Sequence, residues 1–128
     1  MTFGLCRLAA LIGAALALSN TTALADPPPT QAPVTTVDLI DLFPERAADG
    51  LRLLDGYVAQ TQAGPGRPTV RLFRQEAPAL NHFVLLSTWK DRAALEAQGH
   101  TAAALRFRQA LQPLLASPVD ERTYTSAP

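Results

Sequence analysis

One stretch limits what this chain can fold into: Asn81-His82-Phe83-Val84-Leu85-Leu86-Ser87-Thr88-Trp89, followed at once by Lys90-Asp91-Arg92-Ala93-Ala94-Leu95. It is rich in aliphatic, β-branched and aromatic side chains, is entered from the turn-like Ala77-Pro78-Ala79-Leu80, and is left at a capping residue, Asp91. That pattern describes a buried strand feeding directly into a helix. Alternation places Asn81, Phe83, Leu85, Ser87 and Trp89 on one face and His82, Val84, Leu86 and Thr88 on the other. The face that ends on the only tryptophan is the first place to look for a site.

The segments around it supply the rest of a small domain. Thr36 to Phe43 reads as a strand with Val37, Leu39 and Phe43 on one face and Ile40 and Leu42 on the other, so both faces are expected to be covered. Asp38 and Asp41 interrupt that strand, one per face; an aspartate in such a place is usually near an end or paired, and only sometimes a site acid. Pro44 suits the first turn of a helix, and Ala47, Leu51, Leu54 and Val58 continue it as one apolar stripe. Tyr57 flanks the stripe and reads as a packing residue with a wet hydroxyl.

Ala63-Gly64-Pro65-Gly66 ends the helix, and Thr69 to Glu76 forms a second strand with Val70 and Leu72 on one face and Arg71, Phe73 and Gln75 on the other. Its closeness to Asn81–Trp89 predicts an antiparallel hairpin. Asp91 starts a short helix stopped by Gly99, and Thr101 caps a third carrying Ala104, Phe107, Leu111 and Leu114. Pro113 requires a kink or restart in its last turn. Val119 to Thr125 reads as a final strand. The order strand, helix, strand, strand, helices, strand predicts an α+β fold, a ferredoxin-like split βαβ with an antiparallel sheet.

The totals narrow the class. A chain of 128 residues holds one domain, and 48% hydrophobic with 17% charged residues is too apolar for disorder. Equal numbers of acidic and basic residues, 11 each and mixed along the chain, leave no basic stripe for nucleic acid. The start of the sequence stands apart. Leu8 to Leu18 is an apolar run of h-region length, and Ala23-Leu24-Ala25 follows as a small-x-small cleavage pattern. Residues 1–25 are therefore expected to be a cleaved signal peptide, and 26–34 a proline-rich linker before a domain over 35–125. The expected location is secreted or periplasmic, with no membrane association after cleavage. Cys6 lies in the leader, so the mature chain is expected to have no thiol. A folded part of about 90 residues buries only about 60–65% of its unfolded surface, and oligomerisation would help it.

Standard catalytic motifs are missing: there is no G-x-G-x-x-G, P-loop, G-x-S-x-G or H-E-x-x-H. His82 and His100 lack ligand-like spacing with a carboxylate, so no protein metal site is expected.

Several local patterns, in order, resemble the antibiotic biosynthesis monooxygenase superfamily. They are Asn81 to Trp89, Asp91 with Ala94 and Leu95, Phe107-Arg108, Pro113-Leu114-Leu115, and Ser117-Pro118-x-Asp120-Glu121-Arg122-x-Tyr124. The resemblance implies a dimeric α+β barrel, a homodimer in which each subunit keeps a pocket between its sheet and its helices. It also implies oxidation of a phenolic or quinol-like aromatic by O2 with no cofactor, neither metal nor flavin. In that setting Trp89 would stack on a flat substrate unless it is simply a large core residue. Asn81 and Ser87 would hydrogen-bond a phenol or a reduced oxygen species, unless Asn81 only starts the strand. Phe83 would share that face, and Arg71, Phe73 and Gln75 from the neighbouring strand would reach the same space.

This sequence departs from the family where many relatives keep their polar groups. Ser87 stands two residues before the tryptophan, where a glutamate is common. Leu85 stands where some antibiotic-tailoring members have asparagine, and Gln98 replaces a common histidine. His100 is the candidate to substitute for that histidine. The haem-degrading branch needs an axial histidine on the long helix, which this sequence lacks, so haem chemistry is disfavoured. The alternative expectation is a non-catalytic exported module that binds a small apolar ligand in the same fold, with haem binding through His100 weaker still.

Overall fold

A computed structural model describes residues 32–128. The expected leader, and the expected linker up to residue 31, lie outside the described residues. The elements are β1 (Val34–Asp41), α1 (Ala47–Ala63), β2 (Thr69–Arg74), β3 (His82–Trp89), α2 (Arg92–Gly99), α3 (Ala102–Leu111) and β4 (Asp120–Thr125). Short 3-10 turns, Pro44–Arg46 and Gln112–Leu114, precede α1 and follow α3.

Local chemistry sets the boundaries. The Asp91 carboxylate accepts the Ala94 N–H at 2.8 Å and Thr101 Oγ1 accepts that of Ala104 at 3.1 Å, so each residue caps its helix. Pro113 has no N–H to give, and α3 tightens into the 3-10 turn there. β1 starts at Val34, one residue inside the expected linker, because Val34 pairs with Trp89 and is buried. It stops at Asp41 rather than Phe43: the chain bends toward Pro44, Leu42 bridges to Leu115, and Phe43 is left exposed.

The sheet has the order β2-β3-β1-β4 with every neighbouring pair antiparallel, which is the expected ferredoxin-like arrangement. Helices cover one face. Ile40, Leu42, Val70, Phe83 and Leu85 from the strands and their ends meet Leu54 of α1, Leu111 of α3 and Leu114 in one core. β1 was expected to be covered on both sides, but among the described residues no element crosses the other face. Val37, Leu39, Val84 and Leu86 are only half-buried there, and Phe73 and Tyr124 are 41% and 48% exposed. No helix among the described residues is long and apolar enough to cross a membrane.

Candidate active site

Beyond the core, toward the Trp89 end of the sheet, the helices leave a gap. It is a cavity of about 290 Å³, roofed by α1, α2 and α3 over the central strands. The β1–β3 register builds its floor from residues paired across the strands, Thr36 with Ser87 and Asp38 with Leu85, and from Trp89 at the end of β3. Thr36, Asp38, Leu85, Ser87 and Trp89 all line the space. The roof adds Tyr57, Leu95, Gln98, Phe107 and Arg108, and Glu121 of β4 closes one side. Tyr57 and Phe107 stack ring on ring, 3.8 Å between centroids and 8° from parallel, so two helices present one aromatic wall opposite the sheet.

The polar atoms in this space are more telling than the apolar ones. Trp89 is 3% exposed and Gln98 5%, yet neither the indole Nε1 nor the amide Oε1 has a hydrogen-bond partner. Oδ1 of Asp38 is likewise buried and unpartnered. A buried polar group without a partner costs about 1–3 kcal/mol, and protein interiors rarely tolerate one. The three residues that carry these groups, Asp38, Trp89 and Gln98, all line the cavity, while the three atoms themselves are covered by their neighbours. Burial pushes the Asp38 pKa up to about 7, with help from the nearby Glu121 charge and opposition from Arg108. At neutral pH the carboxyl is poised between its two protonation states.

Some of the expected site residues meet here and others do not. Trp89 and Ser87 share the cavity. Phe83 lies on the same face but one step deeper, in the core beside Ile40. Asn81 is not in the site: its Nδ2 donates to the Leu42 carbonyl at 2.7 Å while its own carbonyl accepts the Leu42 N–H at 3.0 Å, tying the ends of β1 and β3 together. His100 is also absent from it. It sits exposed just past the last turn of α2, and Gln98, two residues back on the inward side, takes the place expected for it.

Arg71, Phe73 and Gln75 point the wrong way. Val70 pairs with Ser87 and Leu72 with Leu85, so Arg71 and Phe73 fall on the open face, where the Arg71 guanidinium lies 4.9 Å from the Phe73 ring centroid. Gln75 lies with Phe73 beside a shallow depression on that side. The residues missed were Asp38, Gln98, Arg108, Glu121 and the Tyr57–Phe107 pair. Of these only Asp38 carried a signal, as an acid in the middle of an apolar strand. Among the described residues no three His, Cys, Asp or Glu side chains are placed to hold a metal ion.

No protein-family model matches the sequence, and no curated protein matches it either. Solved structures do resemble it. The structure of PA3566 from Pseudomonas aeruginosa aligns with a TM-score of 0.68 at 26% identity, covering 77% of this chain and 98% of that one. An antibiotic biosynthesis monooxygenase aligns at 0.68 and 22% identity over 74% of this chain and 99% of its own. SnoaB, a cofactor-independent oxygenase from Streptomyces nogalater, aligns at 0.65 and 20% identity over 74% and 93%. With its strand order and helix placement matched over nearly the full length of these proteins, the chain has the ferredoxin-like α+β fold of the antibiotic biosynthesis monooxygenases.

Proposed function

We propose that this protein is a member of the antibiotic biosynthesis monooxygenase superfamily that oxygenates a phenolic or quinol-like aromatic with O2 and no added cofactor. The observation that carries the reading is the cavity, with aromatic rings on its walls and Trp89 and Gln98, each with a polar atom that has no partner, among its lining residues. A flat ring held between the Tyr57–Phe107 wall and the sheet fills the apolar space. The indole N–H donates to an oxygen on that ring, and the Gln98 carbonyl accepts from a hydroxyl. For a phenol with a free para carbon the balance is one phenol and one O2 giving one para-quinone and one water, so no outside reductant is needed. What the protein supplies is a dry, oriented complex of an electron-rich ring with oxygen.

Oxygen uptake with a panel of hydroxynaphthalenes, hydroquinones and hydroxylated anthrones tests this directly. The reading expects saturable uptake with quinone formed mole for mole. It also expects Trp89→Phe, which keeps a ring and removes the N–H, to raise KM by about 10-fold. Uptake no faster than the buffer blank across the panel would sink it. Leu85, Ser87 and Gln98, at positions where relatives carry asparagine, glutamate and histidine, favour a second reading as a non-catalytic small-ligand-binding module. Saturable quenching of Trp89 fluorescence without oxygen uptake would select it.

Two further parts of the proposal concern assembly and location. The uncovered sheet face with Val37, Leu39, Phe73, Val84, Leu86 and Tyr124 fits a second copy of the chain, making a homodimer; sedimentation showing only monomer at micromolar concentration would contradict it. The apolar run and Ala23-Leu24-Ala25 fit export. N-terminal sequencing of the mature protein checks this, with a start near Asp26 expected.

A further inference from the structure

Asp38 has no structural duty that accounts for it. It sits mid-strand in β1, its Cα paired with Leu85 on one side and Glu121 on the other, and it lines the cavity. Its Oδ1 is buried without a partner. The aspartate at the end of the same strand shows what a structural carboxylate looks like here: Asp41 is hydrogen-bonded by His82 and by Ser117. The ionisable side chains bordering the Asp38 site are Glu121 from β4, Arg108 from α3 and Tyr57 from α1; α2 contributes only Leu95, Gln98 and Gly99. The arrangement is one half-buried carboxylate, one like charge registered beside it and one cation across from it, all opening on an aromatic-lined space.

We propose that Asp38 is the proton acceptor of the site, taking the hydroxyl proton of a bound phenol, and that Glu121 and Arg108 set the pH at which it does so. The inference rests on the phenolic reading above. In the step, the phenol O–H bond breaks, its electron pair stays on oxygen and the proton moves to the Asp38 carboxylate. The phenolate passes one electron to O2, and the radical pair joins as a peroxide anion on the para carbon. Asp38 returns its proton to that peroxide. Loss of hydroxide with the para C–H proton, together one water, leaves the quinone and restores the ionised carboxylate. A base with a pKa of about 7 suits this exchange, since it accepts and releases a proton at neutral pH.

The test separates the base from the oxidation. Under argon at pH 8, 1-naphthol, whose para carbon carries a hydrogen, is added to the protein and its absorption is followed, because the ionised form absorbs at longer wavelength than the neutral one. Wild type is expected to bind it as naphtholate, and Asp38→Asn to bind it in the neutral form. Circular dichroism shows whether the variant is folded, and Asp38→Glu is expected to restore part of the ionisation. Ionisation without oxygen uptake in air leaves the base assignment standing and removes the oxygenase reading. Binding of 1-naphthol in the neutral form by wild type, equal ionisation by wild type and Asp38→Asn, or no binding at all, overturns the base.

Where turnover occurs, kcat/KM is expected to rise with pH through about 7 and to fall about 100-fold or more in Asp38→Asn. Glu121→Gln removes the like charge and moves the rise to lower pH, giving severalfold higher kcat/KM at pH 6. Arg108→Gln removes the cation and moves it higher. A profile that ignores both substitutions overturns the role given to Glu121 and Arg108.

Discussion

Asp38 and Asp41 stand three residues apart in one strand, and the fold treats them in opposite ways. Asp41 lies on the open face at the mouth of the sheet. Its side-chain bond to His82 holds its carboxyl below the usual carboxylate range; desolvation opposes this, and the Ser117 hydroxyl, which donates to it at 3.1 Å, lowers it further by a smaller amount. Asp38 lies on the helix-covered face, where burial and Glu121 push its pKa up to about 7. Side chains in a strand alternate between faces, so positions i and i+3 end on opposite sides. One aspartate therefore fastens β1 to its neighbours, and the other stays unfastened inside a cavity. The comparison separates a carboxylate that stabilises the fold from one that burdens it.

The largest expected effect comes from neutralising the burden. The folded pKa of Asp38 lies above its unfolded value of 3.8, so its contribution to stability is fully present below about pH 4 and is lost as pH rises through about 7. At about 1.4 kcal/mol per pH unit, that gap limits the loss to on the order of 4 kcal/mol at alkaline pH, and residual contact with water reduces it. Asp38→Asn is therefore expected to become more stable relative to wild type by about 2–4 kcal/mol between pH 4 and pH 8.5, read as urea midpoints. A difference that does not change with pH would break the contrast.

Asp41→Asn is the opposite case, and smaller because the pair is partly exposed to water. The folded pKa of Asp41 is lowered, so its stability is present above the unfolded pKa and is lost as pH falls through the folded one. A loss of about 1–2 kcal/mol at pH 7 is expected, with the two proteins converging in acid. Glu121→Gln removes a like charge directly across from Asp38 and is expected to add about 0.5 kcal/mol at pH 8 and nothing at pH 4. Ser117→Ala is expected to cost about 0.5 kcal/mol, since its carboxylate partner keeps His82 and water. If Asp41→Asn proved more stabilising at alkaline pH than Asp38→Asn, the assignment of the two faces would be wrong.

Much of the fold was legible because its signals are local. The alternation in Phe83, Leu85, Ser87 and Trp89, the caps at Asp91 and Thr101, and the break at Pro113 each act within a few residues of themselves. The site was only partly legible. Trp89 and Ser87 reach the cavity because they share one strand face. Arg71, Phe73 and Gln75 were misplaced because strand pairing is a separate fact from strand existence. A one-residue slip between β2 and β3 would have exchanged their face with that of Val70 and Leu72. His100 falls outside the cavity and Gln98 inside it for a helical version of the same reason: chemistry pointed to the histidine, but the turn of α2 put the amide inward.

From the sequence alone came the order of strands and helices, the α+β class and the central strand that ends on Trp89. Those depend on periodicity, caps and prolines, whose forces act over one or two turns of chain. Only the tertiary structure decided which sheet face the helices cover, and with it the fates of Asp38 and Asp41. That choice depends on register between distant strands. It also depends on the loss of water around a carboxyl when the helices pack over the sheet, and no single stretch of the chain contains either.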